Sequence, residues 1–202
     1  MSQPPFRHDP QLPELFAVFP GSADVPEFET IPAEEVHEPY AGLLVHNHHM
    51  TVTMEAFYHD RVNVRILQRQ LGDDWYARKI LLARQSDGYV VQFGLPIIKL
   101  SYCSEPVREA ILEGKTPLGR ILIENNVLRR IEPTQFLRIL PGPATISWFG
   151  LKRGKLETYG RLGVIFCDEQ PAIEVLEIVA PVVESVVTKN TKEARRAQRS
   201  NN

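Results

Sequence analysis

The sequence contains little of what marks secreted, membrane-spanning or metal-binding proteins. It has two cysteines, Cys103 and Cys167, in 202 residues, and their spacing fits neither a CxxC metal motif nor a disulfide framework. We expect both to be free thiols. No apolar run approaches the roughly 20 residues of a membrane helix, and no apolar segment follows a basic start as in a secretory leader. These absences favour a soluble, cytoplasmic protein with no membrane partner.

The chain also lacks a strong excess of either charge. A net charge of −2 argues against nucleic acid as the main partner and favours a small-molecule ligand. Residues 189–202 are basic, which leaves the rest of the chain acidic. Any site for an anionic ligand must therefore come from a local arginine or from the free N–H groups of a helix start.

The prolines are unevenly distributed, and half of the 16 lie within residues 1–40. At that density they exclude a central strand and any long helix. The segment is nevertheless too apolar for a solvated linker. We predict an N-terminal arm packed over the domain, with a short helix near residues 13–18, and an oligomer contact as the alternative. Residues 41–182 form the domain, and residues 183–202 form a charged tail that is disordered or a frayed helix.

Alternation of apolar and polar residues dominates the chain between residues 61 and 180. The runs are separated by Gly and Asp turns, a pattern typical of antiparallel hairpins. Helical patterns cover residues 47–58, with Asn47 as N-cap, then residues 104–113, ended by Gly114, and residues 116–125. We predict an α+β fold in which helices pack on one face of a single, mainly antiparallel sheet.

Residues 114–120, Gly-Lys-Thr-Pro-Leu-Gly-Arg, contain a clear helix-start signal. Thr116 is a good N-cap, and Pro117 suits the first helical position, where its missing N–H costs nothing. The N–H groups from Leu118 onward would then be free to bind an anion. The alternative is an ordinary, well-capped helix.

Two charged residues occupy rows that otherwise suit a core. Under strict alternation, Arg78 shares a face with Tyr76, Ile80 and Leu82. Glu177 shares a face with Ile173, Val175 and Val179. A buried charge costs several kcal/mol unless it is paired or meets a charged ligand. Arg78 and Glu177 therefore either pair with each other, lie on a solvent-exposed face, or bind a ligand.

Three histidines in four residues, His46, His48 and His49, suggest a zinc site. His48 and His49 are neighbours, however, and would point about 100° apart on a helix. The sequence has no second cluster of cysteines, histidines or carboxylates to complete the ligand set. We predict polar contacts at a helix entry and no metal.

The chain from about residue 44 to residue 181 resembles a divergent branch of the chorismate lyase family. The matching stretches, in order, are Met50-Thr51 at a helix start, Tyr76-x-Arg78-x-Ile80-Leu81-Leu82 on a strand, residues 114–120, and Glu177 four residues before Pro181. The resemblance implies a chorismate lyase-like fold with a small closed cavity. It also implies a carbon–oxygen lyase of quinone biosynthesis that converts chorismate to 4-hydroxybenzoate and pyruvate without metal or cofactor.

The resemblance assigns roles to four residues. Arg78 and Glu177 are catalytic. Arg78 holds the ring carboxylate together with the backbone N–H of Leu118, and Met50 lines the apolar wall. Glu177 faces the para oxygen, either as a general acid or as a group that orients the ether.

The chain departs from the family at two places. Better-known members carry a second arginine after a glycine on the third strand, where this chain has Gly94-Leu95. Three cations are candidates to replace that arginine: Lys99, Arg120 and Arg161. The spacing from Pro171 to Glu177 is one residue longer than usual, which predicts either a β-bulge or a shifted turn.

Two other functions fit the same residues. The fold also serves as the effector-sensing domain of some bacterial transcription regulators, so the chain is alternatively a non-catalytic domain that binds a small aromatic acid. The second alternative is a related lyase that makes a different hydroxybenzoate.

Overall fold

The computed structural model describes residues 9–21, 24–151 and 157–182. Its strands are β1 (Phe28–Ile31), β2 (Val62–Leu71), β3 (Trp75–Arg84), β4 (Val90–Lys99), β5 (Arg129–Ile139), β6 (Thr158–Cys167) and β7 (Gln170–Val179). Its α-helices are α1 (Leu12–Ala17), α2 (Tyr40–Leu44), α3 (Met50–Tyr58), α4 (Glu105–Glu113), α5 (Leu118–Glu124) and α6 (Pro143–Phe149). In the described ranges no helix is long and apolar enough to cross a membrane. The predicted tail, residues 183–202, lies outside the described residues.

All seven strands form one antiparallel sheet in the order β1-β5-β6-β7-β4-β3-β2. The four helices α2 to α5 pack on one face, where they cover two neighbouring apolar clusters. The predicted α+β fold with a single antiparallel sheet is therefore confirmed. The central strands β3, β4, β6 and β7 are buried along almost their whole length.

The opposite face of the sheet is covered by α1 and α6. Phe16 from α1 stacks on Phe93 with 6.1 Å between ring centroids, and Trp148 from α6 stacks on Phe93 at 3.8 Å. Lys79, which is buried on this face, pairs with Asp24 at 2.7 Å. The described part of the N-terminal segment thus packs on the sheet, and the predicted short helix is confirmed as α1.

Several local signals have the predicted effect. Gly114 ends α4 with φ 75°, and Asn126 takes φ 52° after α5. Both values lie in the left-handed region that favours glycine and asparagine. The predicted bulge is confirmed as well: Ile165 pairs with Ile173 but Phe166 pairs with Pro171, so Ala172 on β7 is the extra residue.

Some helix boundaries differ from the prediction. α5 begins at Leu118, after Pro117 in extended geometry, so Thr116 is not its N-cap. α3 begins at Met50, after His49, so Asn47 is not an N-cap either. Neither helix start has a side-chain capping hydrogen bond.

Three short elements were not predicted. α2 follows directly after Pro39, and β1 is an edge strand within the proline-rich segment, the position in a sheet where neighbouring prolines are tolerated. α6 starts at Pro143, where the Gly142 N–H donates to Thr145 Oγ1 at 3.0 Å. Pro39 and Pro143 thus lie at helix starts, where a missing N–H is tolerated.

Candidate functional site

The four predicted site residues come from distant parts of the chain and line one partly enclosed cavity: Met50, Arg78, Leu118 and Glu177. Its floor is the sheet face formed by β3, β4, β6 and β7, and its roof is formed by the starts of α3 and α5. The cavity volume is about 40 Å³, which is room for a few waters. A ring-sized ligand therefore requires the roof to move away from the sheet.

The two roof helices approach each other closely at Gly119. A Cβ added to Gly119 would lie 3.0 Å from Thr51 Oγ1 and 3.1 Å from His49 Cβ. The first N–H groups of a helix have no intrahelical acceptor. The N–H of Leu118 forms no hydrogen bond with any residue that the structure describes. It is therefore available to a ligand.

Arg78 is fully buried on β3 and lacks an anionic partner among the described residues. Its Nε and Nη1 atoms have no hydrogen-bond acceptor, and its cross-strand neighbour on β2 is another cation, Arg69. Burial lowers the pKa of the Arg78 guanidinium, and the nearby Tyr76 partly offsets this effect. A buried guanidinium without a partner is unfavourable by several kcal/mol, and a carboxylate bound through two hydrogen bonds would relieve that cost.

Glu177 pairs with Arg161 and not with Arg78. Arg161 Nε donates to Glu177 Oε2 at 2.7 Å, and both residues are buried. They are direct cross-strand partners on β6 and β7, so the sheet itself fixes the pair. The sequence left open the possibility that Arg78 and Glu177 form a salt bridge with each other, and this possibility is wrong.

The rest of the Arg161 guanidinium holds residues 45–49, here called the histidine loop, which connects α2 to α3. Nη1 donates to the carbonyl oxygens of Leu44 at 3.0 Å and His46 at 2.6 Å, and Nη2 donates to that of His48 at 3.0 Å. With the bond to Glu177, four of its five N–H groups are used. Arg161 thus ties the histidine loop to the sheet and keeps little capacity for a ligand.

The cavity-facing side chains of β4 come from Gln92 and Pro96, with Gly94 between them. Leu95 lies on the opposite face of the sheet, in the core with α1 and α6. Position 95 of this chain therefore does not line the cavity. The sequence did not predict a role for Gln92, because an uncharged amide in an apolar strand does not stand out as a buried charge does. Gln92 is buried, and its Oε1 atom has no hydrogen-bond partner in the described part of the chain.

The other two cations proposed as replacements do not line the cavity. Lys99 lies over the ring of Tyr102, 4.7 Å from its centroid. Arg120 pairs with Glu55 of α3 and so links the two roof helices. Among the described residues, Arg78 is therefore the cavity's one cation that forms no salt bridge, and two of its nitrogen atoms have no acceptor.

The ring of His46 makes the polar contacts predicted at the entry to α3, whereas the buried Nε2 atom of His49 has no hydrogen-bond partner among the described residues. His46 Nε2 lies 2.8 Å from the Leu43 carbonyl oxygen, and burial and Arg161 lower the pKa of His46. His49 is buried against the cavity, and burial lowers its pKa to about 4, so its ring is neutral at physiological pH. Within the described residues there is no group of three or more His, Cys, Asp or Glu side chains that could hold a metal.

The two cysteines are free and buried. Burial raises the pKa of Cys103 to about 11 and that of Cys167 to about 12. A thiol with so high a pKa is a poor nucleophile at neutral pH. Neither cysteine lines the cavity, and both belong to the apolar cluster under α4 and α5.

The fold and the cavity together define an α+β protein with an enclosed site around one buried, unpaired arginine. No protein-family model and no curated protein matches the sequence. Solved structures align with part of the chain at low identity. The possible transcriptional regulator YydK from Bacillus subtilis subsp. subtilis str. 168 aligns with a TM-score of 0.43 and 9% identity, over 59% of each chain.

Two further structures align in a similar way. PhnF from Mycobacterium smegmatis has a TM-score of 0.46 and 11% identity, over 65% of this chain and 63% of that one. The gene product SA0254 from Staphylococcus aureus subsp. aureus N315 has a TM-score of 0.42 and 10% identity, over 59% of this chain and 82% of that one. The chain thus spans about six tenths of the length of YydK and PhnF.

Proposed function

We propose that the cavity binds a cyclic carboxylic acid and that the protein is a lyase that converts chorismate to 4-hydroxybenzoate and pyruvate. The observation that carries the proposal is Arg78, a fully buried guanidinium with two unpartnered nitrogen atoms at the cavity wall. A carboxylate is the ligand group that satisfies a buried arginine through two hydrogen bonds. The resemblance of residues 44–181 to chorismate lyases supplies the identity of the acid.

In the proposed reaction, the protein mainly positions and encloses its substrate. Arg78 and the N–H of Leu118 bind the ring carboxylate, while Met50, Ile80 and other apolar side chains exclude water. The ring C–O bond to the enolpyruvyl group breaks, and loss of a ring proton makes the ring aromatic. The released enolpyruvate takes up a proton and becomes pyruvate. Holding the reactive conformer in a closed, dry site lowers the barrier to this elimination.

The salt bridge between Glu177 and Arg161 limits the role that Glu177 can have in the proposed reaction. The Glu177 carboxylate accepts a hydrogen bond from the Arg161 guanidinium and forms a salt bridge with it. An ionised carboxylate accepts hydrogen bonds but has no proton to donate. We therefore assign Glu177 to orienting the substrate rather than to protonating the leaving ether oxygen.

The experiment is incubation of purified protein with chorismate, with 4-hydroxybenzoate and pyruvate measured by chromatography. We expect equal amounts of the two products, and loss of both with Arg78→Met. Glu177→Gln, which can still hydrogen-bond, should keep measurable turnover, whereas an obligatory general acid would not tolerate it. Arg65→Met, an exposed position on β2, is the matched control. Absence of both products with folded wild-type protein would overturn the lyase assignment.

One observation favours a second candidate, a non-catalytic domain that binds a small aromatic acid. Chorismate carries two carboxylates, whereas the cavity offers one unpaired cation, because Arg161 is already bonded to Glu177 and to the histidine loop. A monoanionic aromatic acid needs only Arg78. Binding of 4-hydroxybenzoate that depends on Arg78, without turnover of chorismate, would favour this candidate.

A further inference from the structure

The cavity contains an unpartnered hydrogen-bond acceptor as well as an unpartnered cation. Gln92 on β4 is 2% exposed, lines the cavity, and has no donor for its Oε1 atom within the described residues. Buried amide groups are almost always hydrogen-bonded, and one that is not calls for an explanation such as a functional role or a bound water, ion or ligand. Gln92 is therefore a second place where the protein leaves a contact to its ligand.

The sheet register separates Gln92 from Arg78. Gly94 is the cross-strand partner of Ile80 on β3 and of Glu177 on β7. Arg78 precedes Ile80 by two residues, and Gln92 precedes Gly94 by two residues on the antiparallel neighbour. The two polar residues thus lie on opposite sides of the Ile80–Gly94–Glu177 row, each about 7 Å from it along its strand.

Two side chains lie over Gly94, which has none of its own. A Cβ added to Gly94 would lie 3.1 Å from Ile80 Cδ1 and 3.8 Å from Gln92 Nε2. The Gln92 amide therefore reaches back over the floor toward the side where Arg78 lies. A ring placed over Ile80 and Gly94 would have Arg78 on one side and the Gln92 amide on the other.

We propose that Gln92 is a specificity-determining residue, whose amide accepts a hydrogen bond from a hydroxyl group that the ligand carries away from its carboxylate. The ligand class is therefore a cyclic carboxylic acid that bears a hydroxyl, and the unsubstituted acid binds more weakly. This inference rests on the proposed carboxylate site at Arg78, but it does not require that the protein is an enzyme.

The test is calorimetric titration of the full chain with benzoate, 3-hydroxybenzoate and 4-hydroxybenzoate. We expect at least one hydroxybenzoate to bind on the order of tenfold more tightly than benzoate. Gln92→Met, which keeps the length of the side chain and removes the amide, should lose that preference and keep the affinity for benzoate. Gln85→Met, at an exposed position outside the cavity, should retain the preference.

The outcomes separate this inference from the proposed function. If both hydroxybenzoates bind wild-type protein no more tightly than benzoate, or if Gln92→Met keeps the preference, the inference is overturned while the carboxylate site stands. If none of the three acids binds, both fail. Benzoate binding reports whether Gln92→Met is folded. If that variant does not fold, Gln92→Asn is the alternative, because its shorter side chain holds the amide one methylene farther from the ligand. Gln92→Asn should lower the preference for hydroxybenzoates over benzoate. An unchanged preference would again overturn the inference.

Discussion

Arg78 and Arg161 lie on the same face of the sheet, both buried, yet only Arg161 has its charge paired. Arg161 meets Glu177 and three carbonyl oxygens of the chain. Arg78 has two nitrogen atoms without any acceptor in the described residues. One arginine therefore forms its hydrogen bonds within the protein, and the other keeps two buried nitrogen atoms that we propose bind a ligand.

The first prediction concerns Arg78. Replacing an unpaired buried charge by an apolar side chain of similar size removes its desolvation cost. Arg78→Met should therefore raise the free energy of unfolding of the ligand-free protein, by roughly 1–4 kcal/mol. Urea unfolding measures the change, with Arg65→Met as the exposed control. A lower free energy of unfolding would mean that Arg78 has a partner within the protein.

The second prediction is that replacing Arg161, unlike replacing Arg78, lowers the free energy of unfolding. Arg161→Met leaves the Glu177 carboxylate buried without a partner and frees the histidine loop. We expect a loss of about 3–5 kcal/mol in the free energy of unfolding. Combining it with Glu177→Leu should recover part of that loss, because the orphaned charge is gone. If Arg78→Met and Arg161→Met changed the free energy of unfolding by equal, small amounts, the distinction between the two arginines would be contradicted.

The third prediction concerns pH and His49. The unfolded chain binds a proton at His49 below its ordinary pKa of about 6.5, whereas the folded protein keeps the ring neutral down to about pH 4. The unfolded state thus binds more protons between these values, so stability falls as pH drops from about 6.5 toward 4. The full loss is about 3 kcal/mol.

Urea unfolding at pH 7.5 and pH 5 tests this effect in wild type and His49→Gln. The variant should lose less stability than wild type on acidification, because Gln does not titrate. His59→Asn is the control, since His59 is exposed with φ 50°, a conformation that asparagine tolerates. An identical loss in wild type and His49→Gln would show that His49 titrates normally in the folded protein.

The fourth prediction concerns the contact between the roof helices. Gly119→Ala should destabilise the protein by about 1–3 kcal/mol, because its Cβ would lie 3.0 Å from Thr51 Oγ1, although alanine favours helix. Gly42→Ala in α2 is the matched control, since its Cβ would meet only the flexible carboxylate end of Glu38, at 3.3 Å. That variant should be neutral or stabilising. Stabilisation by both substitutions would mean that α3 and α5 do not touch at Gly119.

The period-two pattern was enough to predict the sheet and the faces of Arg78 and Glu177, because one charge in an apolar row is visible in the sequence. Arg161 carries the same signal, since it shares a face with Tyr159 and Ile165, but it was considered only as a substitute cation. Its bonds to the histidine loop depend on a loop path that no local pattern encodes. Gln92 was missed because an uncharged amide in a strand does not stand out until its burial is known.

The most direct test of the central claim is calorimetric titration of 4-hydroxybenzoate into wild-type protein and Arg78→Met, with Arg65→Met as the control. If Arg78 is the carboxylate site, wild type and the control bind with the same affinity. Arg78→Met should then bind at least about 100-fold more weakly, while urea unfolding shows that it is folded. Binding of equal strength in wild type and Arg78→Met would contradict the account, because the buried, unpaired arginine would then have no part in holding the ligand.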